Sequence, residues 1–301
     1  MAENKVFFIV NKYAGSGFQS SIEGRIIDAC AQLKLEGTIE YTQYKGHATE
    51  LARRAVTEGF PRVFALGGDG TVNEVARGLV HTSTAMGILP KGSGNGLARH
   101  LHIPLSISRA LQLMNHHQII SMDTLWINNR LSVNVSGIGF DGHVAGKFGE
   151  GGKRGLIGYA KLVMKEFFKF KEFNAEVVLD GKILQRQSFI LALANSSQFG
   201  NNAKVSPFAS VCDQLIDVCF IKKVPLPQAL GFAQKMFTGL MHRSAFVEIF
   251  QGSKATIKFD KPMPFHIDGE AMEPVANFDI ALSPRSLKMI VPKAAKLKQR
   301  I

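Results

Sequence analysis

The sequence predicts a mixed α/β protein, with an N-terminal α/β domain and a C-terminal antiparallel β-sandwich domain. Over roughly the first 125 residues, strand-like and helix-like runs alternate, which indicates βαβ units and a mostly parallel sheet covered by helices. After about residue 120, strand-like runs follow one another with turn signals between them, a pattern typical of antiparallel sheets. The length of 301 residues also favours two domains over one.

Each predicted strand of the first half is a short run rich in apolar or β-branched residues, and each is followed by a stretch with helical periodicity. Strands are predicted at 6–10, 38–44, 62–66 and 85–89, and helices at 20–35, 47–59, 71–80 and 106–117. Because the connections join parallel strands, we expect right-handed crossovers. We assign residues 1–120 to the first domain and 121–285 to the second.

Two tight turns and two helical stretches mark the second half. The tetrapeptides INNR (127–130) and LDGK (179–182) predict β-hairpin turns, and helices are predicted at 156–170 and 226–242. One Gly-x-Gly-x-x-Gly run, residues 137–142, has no clear helix after it and no first βαβ unit around it. We therefore interpret this run as a close-packed turn and not as a dinucleotide fingerprint.

Composition narrows the function classes. The formal net charge of +12 favours a polyphosphate substrate, an anionic membrane surface or nucleic acid. No zinc knuckle, RRM signature or basic leucine zipper is present, so nucleic acid is not an expected partner. No apolar run reaches the ~18–20 residues that a membrane span needs. Residues 6–10 read as a strand rather than a signal peptide, and three cysteines without metal spacing suit a reducing, cytoplasmic setting.

Three glycine-rich stretches, residues 11–17, 67–71 and 90–96, each follow a predicted strand and precede a helix. At the carboxyl ends of parallel strands they should converge on one edge of the sheet, where open α/β sheets bind ligands. Free N–H groups at helix starts favour anions, and glycine lets a backbone approach phosphate closely. None of the three has Walker A or Rossmann spacing. The pattern therefore predicts a phosphate site that differs from both the Walker A loop and the Rossmann dinucleotide fingerprint.

The second stretch, GGDGT, places a carboxylate where phosphates are expected, and like charges repel. Asp69 suits this position if it meets Mg²⁺, or a water or basic group that links it to the phosphates. The alternative is that Asp69 caps the helix predicted at 71–80. Asn73 and Glu74, in the first turn of that helix, either orient a ribose or base or act as caps.

Together these residues resemble the catalytic domain of the diacylglycerol kinase and sphingosine kinase superfamily, in its bacterial soluble lipid kinase branch. The resemblance runs through nearly the whole chain, with GGDGT-x-N-E at 67–74, Gly-Ser-Gly-Asn at 92–95, Gly-x-Gly-Phe-Asp at 137–141 and Asp-Gly-Glu at 268–270. It implies a first domain like that of NAD kinases and phosphofructokinases and a β-sandwich that supplies the acceptor pocket. It also implies that the last segment, 286–301, returns to the first domain.

The resemblance implies that the first domain binds ATP with Mg²⁺. The family's Asn-Pro in the first loop is Asn-Lys in this chain. The residues matched to nucleotide binding are Asn11, Lys12, Tyr13, Ala14, Gly15, Thr42, Gly67, Gly68, Asp69, Gly70, Thr71, Asn73, Glu74, Gly92, Ser93, Gly94 and Asn95.

The resemblance also assigns chemistry to the second domain. Glu270 is matched to the residue that accepts the proton of the attacking hydroxyl, while Asp268 supports it or contributes to a metal, and Asp69 is counted with these catalytic residues. Since Asp268 and Glu270 lie two apart on a turn or strand, both can face the same substrate. The resemblance also implies a structural Mg²⁺ held by the Asp213 side chain and the backbone carbonyls of Ser210 and Leu215, although Cys212 and Gln214 replace the usual aspartate and glycine.

The implied activity is ATP-dependent transfer of a phosphoryl group to a lipid hydroxyl. The expected substrate is diacylglycerol-like, with a sphingoid base or phosphatidylglycerol as alternatives. The implied partners are the lipid, a transient anionic membrane surface and a second copy in a homodimer, which places the protein in the cytoplasm and peripherally at the membrane. Two other functions stay open: an NAD kinase, which also carries GGDGT, and a non-catalytic nucleotide-binding regulator.

Overall fold

The computed structural model describes residues 4–15, 21–150, 156–293 and 295. The chain divides into two compact units: the first unit is Met1–Asp123 with Pro284–Ile301, and the second unit is Thr124–Ser283. Parts of three predicted segments lie outside the described residues, namely residues 16 and 17 of the first glycine loop, residue 20 of the first helix, and residues 294 and 296–301 of the last segment.

The first unit is the predicted α/β structure with a parallel sheet. Its elements are β1 (Lys5–Val10), α1 (Ser21–Gln32), β2 (Glu36–Tyr41), α2 (His47–Thr57), β3 (Arg62–Gly67), α3 (Asp69–Leu79), β4 (Ala85–Pro90), α4 (Gly96–His100), α5 (Ile107–Leu111) and the start of β5 (His117–Ile127). The strands lie in the order β2–β1–β3–β4, all parallel. Nearly every residue of β1, β3 and β4 is buried, as expected for strands covered on both faces.

A strand from the far end of the chain completes this sheet. The last part of β14 (Glu270–Pro292) pairs in parallel with β4, with Lys288 opposite Ala85 and Met289 opposite Met86. The residues of β14 that make this contact belong to the first unit. The sheet of the first unit therefore contains one strand that lies about 200 residues away from its neighbour in sequence. Closing so long a loop costs conformational entropy, which the burial of side chains must offset.

One predicted helix of the first unit is wrong over most of its length. The helix predicted at 106–117 ends at Leu111, a 3₁₀ turn follows at Gln112–Met114, and a strand begins at His117. Leu113 and Met114 are buried in the turn. Their apolar character extended the helical pattern, whereas the β-branched residues that follow favour an extended chain.

The second unit is an antiparallel β-structure with three helices. Its strands after β5 are β6 (Arg130–Ser132), β7 (Val135–Gly139), β8 (Phe173–Leu179), β9 (Lys182–Ser188), β10 (Ile190–Ala194), β11 (Ile216–Ile221), β12 (Val247–Gly252), β13 (Lys254–Ile267) and the first part of β14, and its helices are α6 (Phe140–Glu150), α7 (Leu156–Phe167) and α8 (Leu226–Thr238). Strands β12, β11, β10, β7, β13 and β14 are neighbours in that order, every pair antiparallel.

The two predicted hairpin turns are confirmed. Asn128 and Asn129 have φ of 47° and 63°, and Asp180 and Gly181 have φ of 47° and 83°, so both central residues of each turn are left-handed. The two turns join β5 to β6 and β8 to β9. Type I′ geometry of this kind matches the twist of the flanking strands, which explains why asparagine, aspartate and glycine occupy these positions.

The Gly-x-Gly-x-x-Gly run at 137–142 does open on a helix, contrary to the prediction. Strand β7 ends at Gly139 and α6 begins at Phe140. A Cβ at Gly137 would lie 1.7 Å from Asp141 Oδ2, and one at Gly142 would lie 2.4 Å from the Cα of Phe265. Gly137 leaves room on β7 for the Asp141 side chain of α6, and Gly142 lets α6 pack closely against β13. The small size of both residues serves packing, as the close-packed interpretation expected.

Candidate functional site

The three glycine loops of the first unit come together at one edge of its sheet. Strands β1, β3 and β4 are adjacent and parallel, so the loops after them emerge side by side. The backbone N–H of Asn11 donates to the carbonyl of Leu66 at 2.9 Å, and that of Lys91 donates to the carbonyl of Gly67 at 2.8 Å. Asn11 Nδ2 also donates to Thr71 Oγ1 at 3.0 Å. The loops therefore hold one another in place through direct hydrogen bonds.

Glycine is required where these loops cross. A Cβ at Gly92 would lie 2.6 Å from the Cα of Gly68, so two backbones touch at this point. Gly15 has a φ of 62°, and a Cβ there would lie 2.1 Å from the carbonyl oxygen of Lys91. With no room for side chains, the surface at these crossings is formed by main chain, which is the surface that binds phosphate oxygens in glycine-rich loops.

Asp69 fastens the third loop to the second. Its Oδ2 accepts a hydrogen bond from the N–H of Asn95 at 2.9 Å, and its Oδ1 accepts one from the N–H of Gly96 at 2.8 Å. The predicted alternative, a cap on its own helix, is wrong: Asp69 is the first residue of α3, the cap position is Gly68, and no side chain caps it. Two backbone N–H groups partly offset the negative charge of the carboxylate, which reduces the repulsion expected between Asp69 and a phosphate.

The third loop is closed by its own asparagine. Asn95 has φ 49° and ψ 47°, a left-handed conformation that asparagine tolerates well. Its Oδ1 accepts from the N–H of Gly92 at 3.0 Å, and its Nδ2 donates to the carbonyl of Gly92 at 2.7 Å. Arg99 Nε holds the carbonyl of Gly94 at 3.0 Å. The shape of this loop is therefore set by protein contacts alone.

Asn73 and Glu74 contact protein groups. Glu74 Oε2 accepts from the N–H of Ala48 in the first turn of α2, at 3.3 Å, and Thr49 Oγ1 donates to the carbonyl of Glu74 at 2.7 Å. Gly46, at the N-cap position of α2, has no side chain that could cap the helix. Glu74 thus meets the positive end of a neighbouring helix, where a carboxylate is favourable. Asn73 Oδ1 accepts from Arg77 at 3.2 Å.

A lysine of the third loop, not predicted as a site residue from the sequence, reaches the first loop with its side chain. Lys91 Nζ donates to the carbonyl of Ala14 at 2.7 Å, and burial lowers the pKa of its ammonium group. Two further predicted residues, Lys12 and Thr42, contact the ends of β2 and β1. Lys12 Nζ lies 3.8 Å from the centre of the Tyr41 ring, and the N–H of Thr42 donates to the carbonyl of Val10. The signal for Lys91 was its place in the run PKGSGNG, directly after β4.

In the second unit, Asp268 and Glu270 have different surroundings. Asp268 and Gly269 form the turn between β13 and β14, with φ of 50° and 90°. Asp268 is 7% exposed, and its carboxylate accepts three hydrogen bonds, from Ser132 Oγ at 2.7 Å, the N–H of Val133 at 2.8 Å and the N–H of Asn134 at 3.0 Å. Glu270 is half-buried at the start of β14. The structure therefore makes Asp268 a support of the turn that carries Glu270.

A buried histidine also supports this turn. His266 Nδ1 accepts from the N–H of Gly269 at 3.1 Å, so the ring proton is on Nε2, which lies 3.2 Å from Asp141 Oδ2. Asp141 Oδ1 in turn accepts from the N–H of Gly142 at 2.9 Å. From the sequence, Asp141 was recognised only as part of the Gly-Phe-Asp run, and no role was predicted for His266. The only signal for His266 was its position two residues before Asp268.

The loop matched to a structural magnesium ion contributes one carboxylate. Asp213 Oδ1 accepts from the N–H of Leu215 at 3.1 Å, and Ser210 Oγ accepts from the N–H of Cys212 at 3.4 Å. Within the described part of the chain, no three His, Cys, Asp or Glu side chains converge in a way that could hold a metal. The implied site would join the Asp213 carboxylate to the backbone carbonyls of Ser210 and Leu215, and oxygen donors of this kind are the ones that Mg²⁺ prefers. The site at Ser210, Asp213 and Leu215 stays a prediction, and no step below depends on it.

No helix among the described residues combines the length and the apolar character that crossing a bilayer requires.

Comparisons with known proteins agree with both halves of this description. The family model for the diacylglycerol kinase catalytic domain matches residues 5–127, and the model for the YegS C-terminal NAD kinase beta sandwich-like domain matches residues 134–291. A "Probable lipid kinase YegS-like" of Pseudomonas syringae is 30% identical over 70% of this chain and 71% of its own length. Another protein of that name, from Chromohalobacter salexigens, is 28% identical over 91% of this chain and 88% of its own.

Two further relatives carry the other name of the family. A "Diacylglycerol kinase" of Bacillus subtilis is 24% identical over 87% of this chain and 88% of its own length. The crystal structure of a diacylglycerol kinase from Bacillus anthracis matches with a TM-score of 0.76 at 20% identity, over 97% of this chain and 98% of that one, and so supports the fold. The chain therefore belongs to the kinase family that joins a diacylglycerol kinase catalytic domain to a YegS-type C-terminal β-sandwich-like domain.

Proposed function

We propose that this protein is an ATP-dependent lipid kinase that transfers the γ-phosphoryl group of ATP to a lipid hydroxyl. The observation that carries the proposal is the set of three interlocked glycine loops at the carboxyl edge of the parallel sheet. Such an edge is where open α/β sheets bind ligands. The loops expose main chain at their crossings and are shaped by protein contacts, which suits a rigid polyphosphate cradle.

Two features of the first unit favour phosphate over other anions. Helix α3 begins directly after Gly68, which has no side chain to cap it, and the N–H groups and dipole at the start of a helix favour a phosphate. Lys91 adds a cationic group between the loops. In this proposal Asp69 acts mainly on the third loop, by holding Asn95 and Gly96, and Mg²⁺ bound with ATP would supply further neutralisation of phosphate charge.

The reaction needs a group that accepts the proton of the attacking hydroxyl. In the proposed step the lipid oxygen forms a bond to the γ-phosphorus, the bond from that phosphorus to the bridging oxygen of ADP breaks, and the hydroxyl proton passes to the Glu270 carboxylate. Asp268 and His266 hold the turn before Glu270 from two sides. Phosphoryl transfer depends chiefly on positioning, so a rigid turn is an advantage.

The acceptor we propose is diacylglycerol-like. The support is the family and the names of relatives: the Bacillus subtilis protein is named a diacylglycerol kinase, and those from Chromohalobacter and Pseudomonas are named lipid kinases. Sphingoid bases and phosphatidylglycerol present a similar free hydroxyl and are the alternatives.

A lipid panel tests the proposal. We expect the full chain, incubated with γ-labelled ATP, Mg²⁺ and mixed micelles, to label one lipid of a set comprising diacylglycerol, phosphatidylglycerol and a sphingoid base. Products are read by organic extraction and thin-layer chromatography. A parallel reaction with NAD⁺ in place of lipid is the control for the NAD kinase alternative. Labelled NADP, or no lipid product from a folded protein that binds ATP, would overturn the proposal.

Replacement of Asp69 by asparagine tests how the nucleotide edge is held. The new side-chain amide has one acceptor oxygen and cannot accept from the N–H groups of both Asn95 and Gly96, so one of these would face an NH₂ donor. We expect the free energy of unfolding to fall by about 1–3 kcal/mol, together with a loss of ATP affinity. Urea unfolding and calorimetric titration with ATP measure the two effects.

The control for this variant is Asp28→Asn, on the exposed face of α1 in the same unit, which should leave both measurements unchanged. If Asp69→Asn abolished ATP binding with unchanged stability, the carboxylate would act on the nucleotide or its metal directly and not by holding the loop.

A further inference from the structure

Helix α8 carries an exposed apolar face that the second unit leaves uncovered. Leu226, Leu230 and Phe237 are 51%, 83% and 55% exposed. Their spacing of four and seven residues places them on one side of the helix. None of the thirteen residues of α8 is buried. Burial elsewhere in this unit is extensive, so three large apolar side chains side by side on one helix form an unusual surface.

The opposite side of α8 accounts for how the helix is held. Phe232 and Met236 pack against a buried cluster that includes Val205, Cys219 and Met241. The helix is thus apolar on two faces and polar on little of its circumference. A helix with this pattern is expected to be buried on both sides, and the protein covers only one.

The apolar face continues past the end of the helix. Gly239 ends α8 in a left-handed conformation, φ 76°, which is why the helix is shorter than the predicted 226–242. Leu240 follows and is 37% exposed. Phe208 is 55% exposed, and the centre of its ring lies 4.7 Å from the ring centre of His242, which comes shortly after Leu240 in the chain. We call the group Leu226, Leu230, Phe237, Leu240 and Phe208 the α8 surface.

Basic residues lie beside the C-terminal part of α8. Lys235 Nζ donates to the carbonyl of Arg243 at 3.2 Å, and the N–H of Lys204 donates to the carbonyl of Met236 at 3.2 Å, so these three side chains start beside the helix. Residues 218–247 include no aspartate or glutamate and contain Lys222, Lys223, Lys235 and Arg243. An apolar face with a basic border is the composition of helices that lie in the headgroup region of anionic membranes.

We propose that the α8 surface docks this protein on an anionic lipid bilayer, with α8 lying in the plane of the interface. Thirteen residues make a helix about 20 Å long, which is shorter than the ~30 Å hydrocarbon core, so α8 can lie on a bilayer but cannot cross it. The proposal deepens the proposed function and rests on it in one respect: a lipid substrate resides in the bilayer that α8 would reach.

An exposed apolar face can be covered by a bilayer or by a second copy of this chain, and the charge near the α8 surface favours the bilayer. A contact between two copies through the α8 surface would bring together two regions with the same basic residues, in a protein whose net charge is already +12. Like charges at an interface disfavour association. Anionic headgroups instead complement the same residues.

Vesicle binding of the full chain tests the proposal without any catalysis. We expect the protein to co-sediment with vesicles of phosphatidylcholine containing about 30 mol% phosphatidylglycerol, less with pure phosphatidylcholine, and less as salt rises. The double variant Leu230→Gln/Phe237→Gln should lower the partition coefficient at least about tenfold, because it removes the two most exposed apolar anchors of the helix itself. Lys235→Gln/Arg243→Gln should lower binding only to the anionic vesicles.

The matched control is Ile183→Gln, an apolar residue on β9 that is 62% exposed and lies outside the α8 surface. It should bind vesicles as the unaltered protein does. Thermal unfolding of every variant shows that a loss of binding is not a loss of folding.

Two results would overturn the docking proposal: equal vesicle binding by Leu230→Gln/Phe237→Gln and the unaltered protein, or a dimer in sedimentation equilibrium that this variant dissociates. Neither result bears on the proposed kinase activity. That activity is measured in detergent micelles, where the α8 variants should match the unaltered protein.

Discussion

Replacement of Glu270 by glutamine is expected to lower kcat for phosphoryl transfer by about 10²–10⁴-fold. Glutamine keeps the shape of the side chain at the start of β14 but cannot accept the proton of the attacking hydroxyl. Because Glu270 is half-buried and the change is nearly isosteric, we expect the free energy of unfolding to change by less than about 0.5 kcal/mol. Initial rates with saturating ATP and the best lipid of the panel, together with urea unfolding, measure the two quantities.

The control for this variant is Glu273→Gln. Glu273 lies on the same strand three residues further on and is exposed. It carries the same carboxylate but not at the start of the strand, next to the turn. Its replacement should leave kcat within about twofold. A Glu270→Gln protein with full activity would remove the proton acceptor from the proposed step. Phosphoryl transfer would then depend on the loops and another base.

Replacement of Asp268 by alanine is expected to cost stability more than any other single change considered. Three buried donors, the hydroxyl of Ser132 and the N–H groups of Val133 and Asn134, would lose their acceptor. Each buried donor without a partner costs about 1–3 kcal/mol, so we expect a loss of about 3–5 kcal/mol. Asp268→Asn keeps one acceptor oxygen and tolerates the positive φ, so its cost should be smaller. Urea unfolding of the full chain measures both.

The chain offers a matched control in Asp180→Ala. Asp180 occupies a hairpin turn with φ 47°, close to the 50° of Asp268, and it also accepts from backbone N–H groups, those of Ser253 and Lys254. It is exposed, whereas Asp268 is buried. We expect a loss of about 1–2 kcal/mol there, from turn strain and solvated hydrogen bonds. Equal losses at the two positions would mean that burial of Asp268 contributes nothing.

The locally encoded parts of this protein could be predicted from the sequence. The alternation of strands and helices in the first unit follows from periodicity over six to twelve residues, and the two hairpin turns follow from two residues each. The glycine loops were visible as composition, and their convergence followed from the rule that parallel strands end on one edge. Where local patterns were weak, the prediction failed, as at the helix that opens at Phe140 and the turn at Gln112–Met114.

The roles of the acidic side chains could not be predicted in this way. Asp69 looked like a ligand for metal or phosphate or a cap for its own helix, and its observed partners are 26 and 27 residues further along the chain. Spacing alone placed both Asp268 and Glu270 toward the substrate, and only the family resemblance gave them different roles. In the structure the Asp268 carboxylate accepts hydrogen bonds from Ser132, Val133 and Asn134, more than 130 residues earlier.

The sequence by itself determined the fold class, the two hairpins and the positions of the three glycine loops, because turn chemistry and hydrophobic period act between near neighbours. Only the tertiary structure decided which carboxylates hold loops in place, and it showed Lys91, His266 and the uncovered face of α8. The hydrogen-bond partners and the burial of a side chain depend on which distant segments of the chain meet, so the local sequence around a residue does not reveal them.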